Sequence, residues 1–127
     1  MPLDNKKVVF YLTLPKEDRE CTYEEMVIAN TLSSMTDYDL DNFIYAYDNC
    51  IVEVGERRII AIDAVKDIPM ENIRATMQIC VSNGLVIQES AFMDGETFNA
   101  GGFFMATSFC DKLMEYVKYV KQIFRYE

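Results

Sequence analysis

The sequence of 127 residues predicts an α+β fold organised as a single domain. Three observations predict it: an early segment with the two-residue alternation of a strand, several segments with the apolar spacing of amphipathic helices, and a helix that ends at a glycine and leads into β-branched residues. Because no repeat, low-complexity run or flexible linker marks a boundary, we treat residues 1–127 as one domain, with an acidic strand and helix region at 1–56 and a second region at 64–127.

The N-terminal elements are a strand followed by a helix. Side chains alternate in the apolar segment 8–14, and Pro15, which has no backbone N–H to donate, ends the predicted strand. A helix is predicted from about 23 to 35, because Thr22 and Glu25 have the spacing of a capping box. Its apolar stripe is predicted to consist of Met26, Ala29 and Leu32.

A second helix is predicted through residues 39–49, with Asp37 or Asp39 as its cap. Its apolar residues recur at helical spacing, so one face is predicted to be buried and the carboxylates to occupy the other. The buried face is predicted to contain Leu40, Phe43, Ile44 and Tyr47.

The middle of the chain contains a predicted hairpin and a third helix. Residues 51–54 favour a strand and Gly55 favours a turn, whereas residues 58–66 fit either a second strand or a short helix. Pro69 occupies a position where a first helical turn tolerates proline, and a helix follows it. Its apolar side is predicted to contain Ile73, Met77, Cys80 and Val81.

The last third of the chain predicts two strands and a closing helix. Gly84 ends the third helix, because glycine readily adopts the left-handed conformation found just after a helix. Residues 85–92 and 103–109 are predicted strands around the polar connection MDGETFNAGG. The final helix has an apolar stripe of Phe109, Leu113, Tyr116, Val117, Val120, Ile123 and Phe124, opposite Lys118, Lys121 and Arg125.

The run from Ala64 to Phe109 resembles the winged helix-turn-helix superfamily. It contains AVKD, the turn IP, the helix MENIRATMQICVSNG, the terminator GLV, and then a hairpin and FMATSF leading into a closing helix. In that family the glycine turns the chain out of the helix, and the two apolar residues after it anchor the first strand of the wing. The resemblance, extended to about residue 125, implies a winged-helix-like unit and a DNA-reading function.

The charge pattern opposes that function. The net charge is −9, and residues 17–56 hold eleven acids and a single base. Residues 85–107, which include the predicted wing, contain no lysine or arginine but contain Glu89, Asp94 and Glu96. Because phosphates attract cations and repel carboxylates, DNA is disfavoured as a partner, and the chain departs here from the family.

The same pattern predicts a protein partner with a basic surface, and the chain is interpreted as a non-catalytic regulatory or inhibitory protein. One form of this hypothesis is a nucleic-acid mimic, in which rows of carboxylates imitate phosphates; small acidic inhibitors of phage origin look similar. The predicted partner-binding residues are Asp37, Asp39, Asp41, Tyr45, Asn72, Arg74, Gln78 and Ile79.

Two other functions remain as alternatives. One is a dimeric winged-helix transcription regulator, in which Asn72, Arg74 and Gln78 read bases. The other is a metal-dependent enzyme, because the D-x-D-x-D pattern of residues 37–41 offers oxygen ligands to a hard cation. We predict no catalytic residue, metal site or cofactor, since the chain has no histidine and no phosphate-binding glycine loop.

The final helix raises a second question, namely whether it forms a homodimer. Its apolar stripe is wider than a short closing helix needs in order to pack on one side. One interpretation is that the same helix of a second subunit packs against the stripe, and the other is that the whole stripe packs within the chain. The residues predicted for a dimer interface are Leu113, Tyr116, Val120 and Ile123.

The four cysteines are predicted to be reduced thiols in a cytoplasmic protein. They lie at positions 21, 50, 80 and 110, without a CxxC pair, and a four-thiolate zinc site or a disulfide is the alternative. No segment approaches the roughly 18 apolar residues of a membrane span, and the N-terminus lacks the pattern of a signal peptide. We therefore expect no membrane partner.

Overall fold

A computed structural model describes residues 22–89, 92–93, 96–97 and 103–124, with the backbone alone described for 92–93, 96–97 and 121–124. The predicted strand at 8–14 lies outside the described residues, as does Cys21.

The described chain has an α+β fold, as predicted. Its helices are α1 (Tyr23–Ser34), α2 (Asp37–Asn49), α3 (Met70–Ser82) and α4 (Ser108–Phe124), with a single 3-10 turn at Ile62–Ala64. Its strands are β1 (Ile51–Val54), β2 (Arg57–Ile60), β3 (Val86–Glu89), β4 (Phe92–Met93), β5 (Glu96–Thr97) and β6 (Phe103–Ala106).

Helix α1 begins with the predicted capping box, and its predicted apolar stripe is confirmed at Leu32 but wrong at Met26. The Thr22 hydroxyl accepts a hydrogen bond from the Glu25 amide, and the Glu25 carboxylate accepts one from the Thr22 amide. Met26 is 54% exposed, whereas Ile28 and Leu32 are fully buried. Residues 25, 28 and 32 share one side of the helix, and that side faces the core, so Ile28 takes the buried position that we predicted for Met26.

Helix α2 is capped by Thr36, not by Asp37 or Asp39 as predicted. The Thr36 hydroxyl accepts from the Asp39 amide at 3.1 Å, and the Asp39 carboxylate accepts from the Thr36 amide at 2.9 Å. Asp39 is therefore the third-position partner of a second capping box. The predicted apolar face is confirmed in its centre, since Leu40 and Phe43 are fully buried.

The hairpin resolves the ambiguity at residues 58–66. Strands β1 and β2 form an antiparallel hairpin, in which Val54 pairs with Arg57 next to the turn and Ile51 pairs with Ile60 at the far end. Gly55 adopts a φ of 63° in the two-residue turn between them. After β2 only a 3-10 turn forms, at Ile62–Ala64, and the extended Val65 ends it. Residues 58–66 therefore contain most of strand β2 and a 3-10 turn.

Helix α3 ends as predicted. Gly84 has a φ of 85°, its amide donates to the Val81 carbonyl at 3.1 Å, and the Leu85 amide donates to the Cys80 carbonyl at 2.9 Å. These two bonds form a Schellman motif, which satisfies carbonyls that the helix end leaves without partners. Gly84 and Leu85 thus direct the chain into β3.

The sheet has the antiparallel order β1-β2-β6-β3, and the short β4-β5 hairpin lies in the connection between β3 and β6. Ile60, Val86 and Phe104 on one face of the sheet are buried. They belong to a core cluster that also contains buried side chains from all four helices. The placement of α3 between β2 and β3, followed by a hairpin connection, is consistent with a winged-helix-like arrangement.

The two long strands are shorter than predicted. β6 ends at Ala106 because the Thr107 hydroxyl accepts a hydrogen bond from the Phe109 amide at 3.2 Å, which starts α4.

Within the part of the chain that is described, no helix is both long enough and apolar enough to cross a membrane.

Candidate protein-binding surface

The outward side of α2 carries carboxylates and tyrosines and no cation. Helical spacing places Asp37, Asp41, Tyr45 and Asp48 on the side opposite the buried Leu40, Phe43 and Ala46. Tyr38, on the same side, is 77% exposed. We refer to Asp37, Tyr38, Asp41, Tyr45 and Asp48 as the α2 acidic face.

Tyr45 connects this face to the loop before α3. Its ring is half-buried against the core, and its hydroxyl donates a hydrogen bond to Asp67 Oδ2 at 3.2 Å. The negative charge of Asp67 raises the pKa of Tyr45, with smaller contributions from burial and from the hydrogen bond itself. Asp67 therefore lies beside the α2 acidic face and adds a fourth carboxylate to this region.

Asp39 belongs to a different environment from Asp37 and Asp41. Its Oδ1 atom accepts a hydrogen bond from the Thr76 hydroxyl of α3 at 2.8 Å, and the Asn42 side chain donates to the same hydroxyl at 3.1 Å. Thr76 is fully buried, so this network positions α2 against α3. Asp39 therefore has a structural role in the packing of α2 on α3, which the sequence did not predict.

The structure also separates the three aspartates that suggested a metal site. Asp39 is directed at α3, whereas Asp37 and Asp41 lie on the outward side of α2. Among the described residues no group of three or more acidic or cysteine side chains is arranged to hold a metal ion. In the D-x-D-x-D pattern, Asp39 thus belongs to the capping box with Thr36, and Asp37 and Asp41 are the outward carboxylates before and after it.

The exposed side of α3 divides into two edges. Asn72 and Ile79 lie on the edge next to Thr76 and α2, and Arg74 and Gln78 lie on the edge toward β3. The Gln78 side chain donates to the side-chain oxygen Oε1 of Gln88 in β3 at 3.3 Å. Ile79 is half-buried against the core, so it offers a partner less surface than we predicted.

Three cations of β2 and α4 are engaged with carboxylates. Arg57 lies 3.3 Å from Glu89, and Lys112 lies 3.7 Å from Glu115. Arg58 donates two hydrogen bonds to Asp111 of α4, at 2.6 and 2.9 Å. These pairs reduce the positive charge that the sheet and α4 present to solvent.

The Arg58 cluster was not predicted from the sequence. Tyr47 of α2 hydrogen-bonds to Asp111 and accepts a bond from Arg58 at 2.9 Å, so the cluster joins α2, β2 and α4. Burial acts to raise the pKa of Asp111, but hydrogen bonds from Arg58 and Tyr47 outweigh it and the pKa is lowered. The bond to Asp111 likewise raises the pKa of Arg58. The three residues of the cluster, Tyr47, Arg58 and Asp111, lie far apart in the sequence, so no local sequence pattern identifies them.

The described cysteines are buried free thiols, as predicted. Cys50, Cys80 and Cys110 are each at most 4% exposed. Burial raises the pKa of Cys110 to about 11 and raises that of Cys80 as well. Thiols of this kind are protonated near neutral pH and react slowly.

The predicted dimer interface on α4 is corrected in part. Leu113 and Val120 have no exposed surface in the single chain, so they pack within it and cannot meet a second subunit. Tyr116 is half-buried, and its hydroxyl donates to Glu25 of α1 at 3.2 Å. The side chain of Ile123 lies outside the described part. Up to Val120, the broad stripe of α4 is explained by the core that it helps to close.

Comparison of the chain with family models, with curated proteins and with solved structures found no match.

Proposed function

We propose that the chain is a non-catalytic regulatory or inhibitory protein that binds another protein through a basic surface of that partner. The observation that carries the proposal is the α2 acidic face, with Asp67 beside it. Residues 22–56 contain eight carboxylates and no lysine or arginine, so the elements next to this face share its sign. The three buried thiols agree with action in the cytoplasm, where cysteines stay reduced.

One aspartate on this face lies where it lowers stability. Asp48 is in the last turn of α2, and that turn contains no basic residue. Carboxylates near a helix C-terminus interact unfavourably with the helix dipole, typically by about 0.3–1 kcal/mol. A charge at a position where it does not help folding supports a role in binding.

The proposed mechanism is electrostatic attraction followed by contact through the tyrosines. The clustered negative charges of the α2 acidic face attract a positively charged partner and raise the rate at which the two proteins meet. At physiological salt this attraction extends over a screening length of about 8 Å. The exposed Tyr38 then supplies a large, amphipathic contact surface of the kind enriched at interfaces. If the partner normally binds DNA, the carboxylates take the place of phosphates and the protein acts as a mimic.

The comparison that tests this proposal removes charge at two different places. The variant Asp37→Asn/Asp41→Asn/Asp48→Asn changes only the α2 acidic face and spares Asp39. The control Glu53→Gln/Glu56→Gln/Glu115→Gln removes the same charge from three exposed positions elsewhere. We expect the first to weaken binding of a partner captured from the native host by tenfold or more in calorimetry, and the control to weaken it much less. Equal affinities for all three proteins would contradict the proposal.

A winged-helix DNA-binding protein is the second candidate, because α3 and the order β2-β6-β3 are compatible with that architecture. Against it, Arg74 is the only cation of α3 and Glu71 lies in the first turn of the same helix. A fluorescence titration with duplex DNA at 50 and 200 mM salt distinguishes the two functions, since phosphate contacts produce a steep loss of affinity with salt. We expect no saturable complex at either salt concentration. A tight, salt-sensitive complex would favour the second candidate.

A further inference from the structure

The outward face of the sheet carries a row of apolar side chains. Pairing places Val52 beside Ile59, Ile59 beside Met105, and Met105 beside Ile87. We call these four residues the outer apolar row. Val52 and Ile87, at its two ends, are 48% and 45% exposed, whereas Ile59 and Met105, in its middle, are half-buried. The row is therefore less accessible in its middle than at its ends.

Arg57 and Glu89 lie on the same outward face. Successive side chains of a strand point to opposite faces of the sheet. Arg58 is directed toward α4 and Gln88 toward α3, since each hydrogen-bonds to a side chain of that helix. The neighbouring residues, Arg57 in β2 and Glu89 in β3, consequently point outward. Arg57 Nη1 lies 3.3 Å from Glu89 Oε2, so the two side chains form an ion pair on the outward face.

The ion pair crosses the outer apolar row diagonally. β2 and β3 both pair antiparallel with β6, which lies between them, so they run in the same direction. Arg57 precedes Ile59 of the row by two positions. Glu89 follows Ile87 of the row by two positions, so the pair begins on one side of the row and ends on the other, with Met105 of β6 midway. Because the two backbones are two strand spacings apart, about 10 Å, both side chains must extend along the sheet to meet.

We propose that the Arg57–Glu89 pair is a strap that covers the middle of the outer apolar row and controls access to it. When the strap is closed, the aliphatic part of the Arg57 side chain lies over apolar surface while its guanidinium stays exposed, as is common for arginine. When it is open, Ile59 and Met105 join the exposed ends of the row in one apolar surface across the four strands. This inference is independent of the proposed function, because it concerns other residues on another side of the molecule.

The two charges of the strap are exposed enough for it to open. The Arg57 side chain is 59% exposed, and the Glu89 side chain is 40% exposed. Ion pairs at exposed positions are weak and are screened by salt. Salt, or a charged group of another molecule that competes for Arg57 or Glu89, is therefore expected to release the strap.

The rate at which hydrogen peroxide oxidises Met105, measured by mass spectrometry of peptides from the full chain, tests the proposal. Peroxide converts the thioether sulphur to a sulfoxide and is itself reduced to water. It is uncharged, so charge substitutions neither attract nor repel it. We expect Arg57→Glu and Glu89→Arg, which place like charges opposite each other, to raise this rate about threefold or more. The double variant Arg57→Glu/Glu89→Arg restores a pair of opposite charges and should return the rate to that of the unmodified protein.

Two other methionines are the controls. Met70, at the start of α3, is 36% exposed and should be oxidised at the same rate in every variant. Met114, in the core, is 6% exposed and should stay slow wherever the fold is intact. The unmodified protein is also measured in about 20 mM and about 1 M sodium chloride, because the higher concentration shortens the screening length to about 3 Å. This measurement needs no substitution, and the oxidation rate of Met105 should rise with salt.

Two results would overturn the inference. In the first, Met105 is oxidised at the same rate in the unmodified protein, at both salt concentrations, and in both single variants, which shows that the ion pair does not cover it. In the second, Met105 is oxidised as fast in the double variant as in the single variants, which assigns the effect to the changed side chains and not to the pairing of their charges.

Discussion

Helices α2 and α4 are both amphipathic, and both fill the core with one side, but their outward sides differ. On α4, Asp111 is held by Arg58 and Lys112 lies near Glu115, so charges of both signs balance one another. On α2 every charged side chain is a carboxylate. The comparison indicates that α4 is a structural helix, and it agrees with the proposal that α2 combines a structural side with a surface for recognition.

The largest effect is expected from truncation of α4 inside the core. Leu113→Ala removes a fully buried side chain and leaves a cavity, which typically costs about 2–5 kcal/mol. Urea unfolding measures this loss. Glu115→Ala, at an exposed position of the same helix, should change stability by less than about 0.5 kcal/mol. A midpoint that rises with protein concentration would show that α4 serves an interface after all.

A smaller loss is expected when the bond between α4 and the sheet is removed. Arg58→Ala deletes both hydrogen bonds to Asp111 and leaves Tyr47 with a weaker set of partners. Because the group is only partly buried, we expect a loss of about 1–3 kcal/mol in urea unfolding. Arg57→Ala is the matched control, since the Arg57–Glu89 pair is more exposed and should contribute at most about 1 kcal/mol. Equal losses for the two variants would assign no special role to the Arg58 cluster.

On α2, two aspartates should respond in opposite ways. Asp39→Ala removes a capping-box partner and the acceptor of the buried Thr76 hydroxyl, so stability should fall by about 1–2 kcal/mol. Asp48→Ala removes a carboxylate from the last turn, so stability should stay constant or rise by up to about 0.5 kcal/mol. Thermal unfolding of the two variants in parallel measures the contrast. A clear loss for Asp48→Ala would show that this residue contributes to the fold and would weaken the argument from its position.

The smallest effect concerns pH. The lowered pKa of Asp111 means that its ionised form is favoured in the folded chain. Its contribution is therefore complete above the unfolded-state pKa of about 3.9 and disappears as the pH falls through the lower folded-state value. We expect Asp111→Asn to be less stable than the unmodified chain at pH 7, with the difference narrowing at pH 3 in urea unfolding. A difference that is constant with pH would contradict the assignment.

Features set by neighbouring residues were predictable from the sequence. The capping box of Thr22 and the end of α3 at Gly84 depend on residues within one turn, and both were predicted. Thr36 was missed because two other good capping residues, Asp37 and Asp39, follow it within three positions, and only the backbone conformation decides among them. The dual role of Asp39 was beyond sequence reasoning, since Thr76 lies 37 residues away along the chain. Only the packing of α2 on α3 shows that Asp39 faces α3 whereas Asp37 and Asp41 face outward.

The turn at Gly84 has a consequence for chirality. Its φ of 85° is unfavourable for an L-residue, yet a Cβ atom built there meets nothing within 4 Å. The restriction at this position is thus one of handedness and not of space. A D-amino acid at position 84 would adopt this backbone without strain. It would also restrict the unfolded chain more than glycine does, so D-alanine at this position is expected to preserve the junction between α3 and β3 and to stabilise the fold.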